Sequence, residues 1–334
     1  MTAALVVSAP GAIGLEDRPA LEAKPGITIV SPRVVGLCGT DLEIIDGAID
    51  PAYVSYPLVL GHEWAGVVTQ SLEPTIEIGQ SVVVVGIMPC RSCAFCVAGD
   101  TNLCETYNEI GFTHDGAAAG EIAVRHDLVH RLNPDVDPVQ GAFVEPAAVV
   151  YRALGKSGIR PGLDCLVVGD GTVALLAVHL LQLWSPATTT VLGRRQEQAT
   201  LAKLAGATDF VSSVTPSSFG FVIEAAGTPS AVEAALAAAA RGATVVLLGL
   251  PPHGSTVAIE PADLVNSDLS IVASFGYTSV AWRQVVALVN SGRLAPGFLV
   301  THRFPLTEYE RALETLRHPE PGEARGKVVL DLVE

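Results

Sequence analysis

The sequence predicts an α/β protein of two domains, one rich in β-strands and one built on a doubly wound parallel sheet. Its 334 residues exceed the length at which single hydrophobic cores stop growing, about 250–300 residues. Up to about residue 150, short β-branched runs are separated by glycine and proline, as strands separated by turns are. Beyond that point, continuous apolar runs alternate with helical patterns, which is typical of a parallel sheet covered by helices.

Composition and charge exclude several classes of partner. The chain carries 35 acidic and 20 basic residues, a net charge of −15, which argues against nucleic acid and anionic membrane surfaces. No run approaches the roughly 18 apolar residues that a membrane helix needs. The N-terminal stretch MTAALVVSAPGAIGLEDRPA lacks the basic region and apolar core of a signal peptide. We therefore expect a cytoplasmic protein, and the net charge says nothing specific about its substrate.

One stretch of the first domain carries the residue types of a catalytic zinc site. Cys38, Thr40, His62 and Glu63 all lie within residues 35–68. A thiolate, an imidazole and a carboxylate are typical ligands of catalytic zinc, which keeps one position open for water or substrate. The pattern alone is weak, because lone cysteines and histidines are more often buried core residues.

Four clustered cysteines in the segment CRSCAFCVAGDTNLC indicate a second metal site. Cys90, Cys93, Cys96 and Cys104 are separated by two, two and seven residues. Four thiolates in one short segment fit closed tetrahedral zinc, which has a structural role. An iron–sulfur cluster and free thiols are the alternatives, but no proline follows the fourth cysteine and the sequence has no second cysteine cluster.

A glycine motif in the second domain predicts a dinucleotide site. In VVGDGTVALLAV, Gly169, Gly171 and Ala174 occupy the positions of a G-x-G-x-x-G/A pattern between a strand and a helix. The first glycine allows a tight turn, the second lets the pyrophosphate approach the backbone, and the small third residue lets helix and strand pack closely. Thr172 and Val173 open the helix whose N-terminus would face the phosphates. An ordinary βα turn is the alternative.

The end of the next strand favours NADP, with NAD as the alternative. An NAD site typically has an acidic residue there to bond the ribose, whereas this sequence has Gly193 followed by Arg194 and Arg195. Arginine can bind a 2′-phosphate bidentately and stack on adenine, although exposed arginines are also common on ordinary surfaces. The ends of two later strands are expected to line the nicotinamide through Ala226, Gly249 and Leu250.

The order of these motifs resembles one enzyme family over nearly the whole chain. CGTD, LVLGHEWAGVV, the four cysteines, VEP at residues 144–146 and the nucleotide-binding half follow one another as in zinc-dependent medium-chain dehydrogenases of the alcohol dehydrogenase superfamily. Within it, the sequence is similar to the polyol, threonine, sugar and cyclitol dehydrogenase branch. The resemblance implies a GroES-like catalytic domain at residues 1–150, a Rossmann domain at 151–280 and a C-terminal segment at 281–334 that returns to the catalytic domain.

The resemblance also assigns catalytic roles by position in the motifs. It implies that Cys38 and His62 bind the catalytic zinc and that the third ligand is Glu63 or Glu145, with Glu63 slightly preferred. Thr40 resembles the hydroxyl that carries the substrate proton. Glu43 stands where many relatives have the histidine that ends this proton path. With the four-cysteine site, the family pattern implies two zinc ions per chain.

The expected function is hydride transfer between NADP(H) and a secondary alcohol or carbonyl of a polyol, sugar or cyclitol. Zinc lowers the pKa of a bound oxygen but has no redox chemistry, so a hydride carrier is required. The family implies a homodimer or homotetramer. Two alternatives remain at this point: a zinc-independent quinone or enone reductase on the same fold, and a non-catalytic NADP(H)-binding sensor.

Overall fold

The structure is a computed structural model that describes residues 2–332. Met1, Val333 and Glu334, which belong to the ends of the predicted first domain and C-terminal segment, lie outside the described residues. The chain divides into two compact units, which are described separately below.

The first unit contains Met1–Glu145, Tyr277–Glu320 and Lys327–Glu334, and the second contains Pro146–Gly276 and Pro321–Gly326. The second unit thus begins slightly before residue 151. It also includes residues 321–326, which the sequence analysis had assigned to the C-terminal segment.

The first unit begins with a series of short strands and helices. Its strands here are β1 (Thr2–Ala9), β2 (Ala12–Arg18), β3 (Ile27–Leu37), β4 (Leu58–Val59), β5 (Glu63–Gln70), β6 (Ser81–Val84), β7 (Ile122–Arg125) and β8 (Val129–Arg131). Its helices are α1 (Gly39–Asp46), α2 (Ala94–Ala98) and α3 (Pro138–Ala142). The helix α4 (Val144–Lys156) starts in the first unit and continues into the second.

The second unit alternates strands and helices, and the chain then returns to the first unit. The second unit holds β9 (Asp164–Val168), α5 (Thr172–Leu181), β10 (Thr188–Leu192), α6 (Ala199–Ala205), β11 (Asp209–Val211), β12 (Phe219–Glu224), α7 (Pro229–Ala238), β13 (Ala239–Leu247), α8 (Pro261–Ser267) and β14 (Ser270–Ala273). The returning segment adds α9 (Ser279–Asn290), β15 (Val300–Pro305), α10 (Tyr309–Arg317) and β16 (Lys327–Asp331).

The second unit is built on a six-stranded sheet in the order β11-β10-β9-β12-β13-β14, with every adjacent pair parallel. Its core packs α7 against the central strands, with Leu166 on β9, Val222 on β12 and Val245 on β13 all fully buried. Because both faces of a parallel sheet are covered, its strands read as continuous apolar runs. The strand order reverses at β9 and β12, and open α/β sheets bind ligands at such a point.

The first unit contains two sheets that are mainly antiparallel. A three-stranded sheet has the order β2-β1-β4, and a larger sheet has the order β15-β16-β3-β5-β6-β8, with β7 also paired to β3. β3 is the organising strand, since its first half pairs with β7, its second half with β16, and most of its length with β5. Short antiparallel strands joined by turns produce the glycine- and proline-punctuated pattern of the sequence.

Among the described residues, no helix has both the length and the apolar character required to cross a bilayer. The longest helix, α4, runs over 13 residues.

Replacing Leu166 with alanine should destabilise the second unit. Leu166 is fully buried in β9, and such a truncation removes apolar contacts and leaves a cavity, which typically costs about 2–5 kcal/mol of unfolding free energy. Equilibrium urea unfolding followed by circular dichroism measures the change. Leu204→Ala on α6 is the matched control, because Leu204 is 62% exposed, and its effect should stay within about 0.5 kcal/mol. Equal effects of the two substitutions would contradict this description of the core.

Candidate functional site

The pairing of β3 with β5 brings Cys38 and His62 together. β3 ends at Leu37 and β5 begins at Glu63, and the antiparallel register places Gly36 opposite Glu63. The residues just beyond paired strand ends therefore lie side by side. Accordingly, the Cys38 Sγ atom is 3.2 Å from the His62 Nε2 atom. The two predicted ligands thus share one corner of the first unit.

Asp41, which the sequence analysis did not single out, lies beside both residues. The Cys38 backbone N–H donates to Asp41 Oδ2 at 2.8 Å, and Asp41 Oδ1 lies 3.5 Å from His62 Nδ1. Asp41 is fully buried. A carboxylate behind an imidazole fixes the ring so that the opposite nitrogen can bind a metal. The available sequence signal was the position of Asp41 in the first turn of α1, three residues after Cys38.

The electrostatics of this corner favour a positive charge. Burial alone lowers the pKa of His62, but the charges of Cys38 and Asp41 outweigh it and raise that pKa well above its ordinary value. One ligand atom from each of these three residues lies within 4.8 Å of the others. A thiolate, an imidazole and a carboxylate at this spacing fit a zinc ion in donor type; His62 and Asp41 are buried and Cys38 is half-buried.

Glu63 is held by a buried ion pair. Its Oε2 atom accepts a hydrogen bond from Lys327 Nζ on β16, and both side chains are 3% exposed. Gly36 makes room for this carboxylate, because a Cβ there would lie 2.5 Å from Glu63 Oε2. Although burial opposes it, the negative charges of Glu63 and Cys38 raise the pKa of Lys327. The charge of Glu63 is therefore already balanced by a cation of this chain.

Glu145 approaches the same corner from the first turn of α4. Ligand atoms of His62, Glu63 and Glu145 lie within 4.8 Å of one another. Burial raises the pKa of Glu145 to about 8, and the nearby carboxyls of Glu63 and Glu109 act in the same direction against His62. A buried carboxyl with this environment is stabilised as an anion when a cation binds. The structure therefore brings both candidate third ligands to His62, and Glu63 is the one that forms the ion pair with Lys327.

The two residues assigned to proton transfer lie on α1. Thr40 follows the Cys38 cap at the start of the helix and is half-buried, whereas Glu43 lies one turn further and is exposed. Partial burial raises the pKa of Glu43. Thr40 stands two residues after Cys38, and Glu43 is exposed; their roles in proton transfer stay a prediction.

Glu109 is a further buried acid that the sequence analysis missed. Its carboxylate accepts a hydrogen bond from the Tyr107 hydroxyl. Burial raises the pKa of Glu109 to about 7, partly offset by the charge of His62. Nearby, the Tyr277 hydroxyl accepts the backbone N–H of Gly86 at 3.1 Å. No motif marked Glu109, since it stands in a loop without regular pattern.

The four predicted cysteine ligands converge in one lobe. The Sγ atoms of Cys90, Cys93, Cys96 and Cys104 lie within 4.8 Å of one another. Backbone N–H groups point at the sulfurs: that of Cys96 donates to Cys93 Sγ at 3.4 Å, and that of Cys90 to Cys104 Sγ at 3.3 Å. Hydrogen bonds from Ser92 and Cys93 lower the pKa of the Cys90 thiol to about 5. The donor set fits a closed tetrathiolate zinc site.

The glycine loop of the second unit has the geometry that a pyrophosphate site requires. Gly169 has φ of +124°, and a Cβ there would lie 3.1 Å from the backbone of Ala225. Gly171 caps α5, and Thr172 and Val173 form its first turn. Ala174 is fully buried where α5 meets the sheet. The first backbone N–H groups of a helix have no intrahelical partner and can receive phosphate.

The end of β10 differs from the predicted arrangement in one respect. Gly193 follows β10 as expected and Arg194 is exposed. The guanidinium of Arg195, however, is bound to Asp170 of the glycine loop, with Nη2 2.6 Å from Oδ1. The sequence analysis treated Asp170 only as the variable residue between two glycines.

The loops after β12 and β13 hold the remaining predicted cofactor residues. A Cβ at Gly249 would lie 2.3 Å from the backbone nitrogen of Gly227, so the two loops touch through glycines. The buried Glu224 carboxylate accepts the N–H groups of Ala226 and Gly227, both at 2.8 Å. Leu250 is 77% exposed. These loops lie at the carboxyl edge of the sheet, where a dinucleotide is bound in this architecture.

Comparison with protein families agrees with both units. The family model of the alcohol dehydrogenase GroES-like domain matches residues 24–134, and that of zinc-binding dehydrogenases matches residues 172–291. The D-altritol 5-dehydrogenase of Agrobacterium fabrum is 29% identical over 306 residues, 88% of this chain and 90% of the relative. The L-threonine 3-dehydrogenase of Bacillus subtilis is 29% identical over 342 residues, 96% of each chain.

Solved structures show the same fold. A crystal structure from Sinorhizobium meliloti 1021, provisionally described as a zinc-binding dehydrogenase and bound to NADP, has a TM-score of 0.92 and 29% identity over 99% of both chains. The galactitol-1-phosphate dehydrogenase of Escherichia coli has a TM-score of 0.87 and 24% identity, with 99% of this chain and 100% of that chain covered. The latter likeness shows the fold alone.

The two domains and the clustered donor sets define an oxidoreductase of the zinc-binding dehydrogenase class. The chain belongs to the medium-chain dehydrogenases of the alcohol dehydrogenase superfamily. The predicted fold, a GroES-like domain with a Rossmann domain, and the predicted enzyme class are confirmed.

Cys93→Ser should remove one metal ion without affecting the other metal site. We expect zinc-replete protein to hold two zinc ions per chain and the variant one, because a closed tetrathiolate site requires all four ligands. Elemental analysis of dialysed protein measures the ratio. Cys165→Ala is the matched control, since Cys165 lies buried in β9 outside both donor sets, and it should retain two. An unchanged zinc ratio in Cys93→Ser, or iron in place of zinc, would contradict the assignment.

Glu63→Gln and Glu145→Gln should have different effects. Loss of the Glu145 carboxylate should weaken binding of the catalytic zinc by at least about 100-fold, which exceeds the loss typical of a supporting residue. Loss of the Glu63 charge leaves the buried Lys327 without its partner and should cost about 3–5 kcal/mol of stability. Competition with a chromophoric chelator measures zinc affinity, and urea unfolding measures stability.

The double variant Glu63→Gln/Lys327→Met serves as the control for this pair. Replacing both partners removes the uncompensated buried charge, so most of the lost stability should return. If Glu63→Gln releases the zinc and Glu145→Gln retains it, Glu63 is the third ligand, as the family resemblance had slightly favoured.

Proposed function

We propose that the enzyme is a zinc-dependent dehydrogenase that transfers a hydride between NADP(H) and a secondary hydroxyl or carbonyl of a polyol, sugar or cyclitol. The observation that carries this proposal is one set of donors around the buried His62, made of two groups: Cys38, Asp41 and His62 form the first, and His62, Glu63 and Glu145 form the second. Such a set has the donors of a catalytic zinc and leaves a position for an oxygen of the substrate.

The substrate class is supported by the named relatives. Besides D-altritol 5-dehydrogenase, they include the D-arabinitol dehydrogenase 1 of Uromyces fabae, 27% identical, and the D-xylulose reductase A of Aspergillus niger, 28% identical. All three act on polyhydroxylated chains by name. A substrate with several hydroxyls needs polar groups beside the reacting carbon, and Glu109 supplies a buried carboxyl close enough to His62 for their charges to interact.

The residues of the first unit divide the chemical tasks among them. Zinc, when bound, acts as a Lewis acid that makes a secondary alcohol easier to deprotonate and a ketone easier to reduce. Cys38, His62 and Glu145 would hold the metal, and the Asp41 carboxylate lies 3.5 Å from the His62 Nδ1 atom. The Glu63–Lys327 pair keeps a second carboxylate beside the ligands at a balanced charge.

Proton transfer is assigned to α1. The Thr40 hydroxyl can accept the proton of the substrate alcohol and pass it on, since a hydroxyl is both donor and acceptor. Glu43, at the exposed side of the same helix, would take the proton to solvent. Its raised pKa makes it a better proton acceptor than an ordinary surface carboxylate.

The cofactor proposal depends on the second unit. Gly169, Gly171 and the first turn of α5 would bind the pyrophosphate. Gly193 offers no carboxylate to a ribose hydroxyl, and Arg194 offers a cation to a 2′-phosphate. The 29% identical structure with NADP bound supports NADP over NAD.

Three further features belong to the same proposal. They are the count of two zinc ions per chain, a homodimeric or homotetrameric state and a cytoplasmic location. Each stays a prediction.

A nicotinamide absorbance assay tests the proposed activity. Zinc-replete enzyme is incubated with polyols, aldoses, inositols, aminocyclitols and simple secondary alcohols, each with NADP and with NAD. We expect turnover of one polyhydroxylated group, with NADP preferred. The His62→Ala variant should lose turnover by several orders of magnitude, because the metal site loses an essential ligand.

Two outcomes would contradict the proposed activity. Reduction of quinones or enones by metal-free enzyme would establish the zinc-independent reductase. Cofactor binding without turnover of any substrate class, in either direction, would favour a sensor. Turnover with NAD alone would overturn the cofactor assignment and leave the zinc chemistry intact.

A further inference from the structure

An aspartate of the glycine loop occupies the corner at the end of β10. The side chain of Asp170 turns toward the two residues after Gly193, and its Oδ2 atom accepts the backbone N–H groups of Arg194 at 2.8 Å and Arg195 at 3.0 Å. Two adjacent N–H groups form a natural site for an anion. In this chain an internal carboxylate fills that site.

The same carboxylate engages the side chain of Arg195. Asp170 Oδ1 accepts from Arg195 Nε at 3.0 Å and from Nη2 at 2.6 Å, and Nη2 also donates to the Asp170 carbonyl at 3.2 Å. The two side chains are 13% and 25% exposed. Arg195 is thus the counterion of Asp170, and their combined charge is zero.

Gly193 leaves room for this arrangement. A Cβ at position 193 would lie 2.9 Å from Asp170 Cβ and 2.3 Å from Phe210 Cζ. An acidic residue at position 193, the usual ribose acceptor of an NAD site, would therefore displace both neighbours. The carboxylate that Gly193 lacks is present in the corner, but it is carried by the glycine loop.

A glutamine ties this corner to the returning loop 321–326. Gln198 Nε2 donates to the carbonyls of Asp170 at 2.7 Å and Arg325 at 2.9 Å, and the Arg325 N–H donates to Gln198 Oε1 at 2.9 Å. Burial and the charge of Arg195 lower the pKa of Arg325. The corner is therefore built from three separate segments of the second unit.

Arg194 differs from its neighbour. It is exposed, and among the described residues its guanidinium has no hydrogen-bond or ion-pair partner. Its backbone N–H donates to Asp170. Of the two adjacent arginines, Arg194 is the one whose charge is available to a ligand.

We propose that Asp170 is a specificity-determining residue for the cofactor: it holds Arg195 as a structural counterion and leaves Arg194 to bind the 2′-phosphate. This inference rests on the proposed use of NADP(H). It assigns the two arginines different tasks, whereas the sequence analysis interpreted them as one phosphate-binding pair. The Asp170 carboxylate reduces the attraction of the corner for a 2′-phosphate and leaves the rest of the cofactor unaffected.

Direct binding of NADPH and NADH, measured by nicotinamide fluorescence without substrate, tests the proposal. Asp170→Asn keeps the side-chain shape and removes one negative charge, so the Kd for NADPH should fall about three- to tenfold, with that for NADH within about twofold. Arg194→Gln should raise the Kd for NADPH about tenfold or more and leave NADH unchanged. Arg195→Gln should also weaken NADPH about tenfold, because it leaves Asp170 uncompensated.

The double variant Asp170→Asn/Arg195→Gln decides between the two roles of Arg195. If Arg195 acts only as a counterion, removing both charges should return the Kd for NADPH to within about threefold of the wild-type value. If Arg195 itself binds the phosphate, the double variant should be as weak as Arg195→Gln, which would overturn the proposal. Tighter NADPH binding by Arg194→Gln, or no change, would overturn it as well.

The Kd values of the wild-type enzyme test the assignment of the cofactor independently of this proposal. A lower Kd for NADH than for NADPH in the wild type would refute the use of NADP, whereas the shift caused by Asp170→Asn is measured against the wild type whichever cofactor is preferred. Arg241→Gln is the control for loss of a surface arginine. Arg241 lies near the amino end of β13, at the sheet edge away from the strand ends that precede Arg194. It should leave both Kd values unchanged.

Discussion

The antiparallel pairing of β3 with β5 is the constraint on which the metal centre depends. Its register sets Gly36 opposite Glu63, and the ends of the two strands then present Cys38 and His62 to each other. A one-residue slip would turn every side chain of one strand to the other face of the sheet. The register is fixed by the buried apolar residues along β3. The packing that forms the core of the first unit therefore also sets the positions of Cys38 and His62.

Charge balance is the second constraint on this corner. Several acidic groups and a thiol lie in a buried region where isolated charges are costly. The chain balances one carboxylate with a cation of its own, Lys327, and leaves Glu145 with a raised pKa. Binding of a divalent cation would release protons from the ligand groups, so the affinity of such a site depends on pH.

The sequence was sufficient for features that depend on local pattern. Alternating strands and helices, the glycine loop and the four-cysteine spacing each reflect short-range geometry, and family comparison confirms the fold they predict. Long-range pairings were not accessible. The contacts of Lys327 with Glu63 and of Asp170 with Arg195 join residues 264 and 25 positions apart. Asp41 stood in a quoted motif, but its role appears only when the fold places His62 beside it.

The cysteine lobe has a consequence for the handling of the protein. Its sulfurs are gathered by backbone N–H groups, the pKa of Cys90 is low, and Cys90 is exposed, with its sulfur 3.9 Å from that of Cys96. Burial raises the pKa of Cys96 to about 12, so Cys90 supplies the thiolate, which is the reactive form of cysteine and can be joined to the neighbouring sulfur by an oxidant. Bound zinc would shield these sulfurs from oxidation. If a chelator removes the zinc in air, oxygen can oxidise the freed sulfurs to a disulfide. Reloading the lobe would then require a reductant as well as zinc.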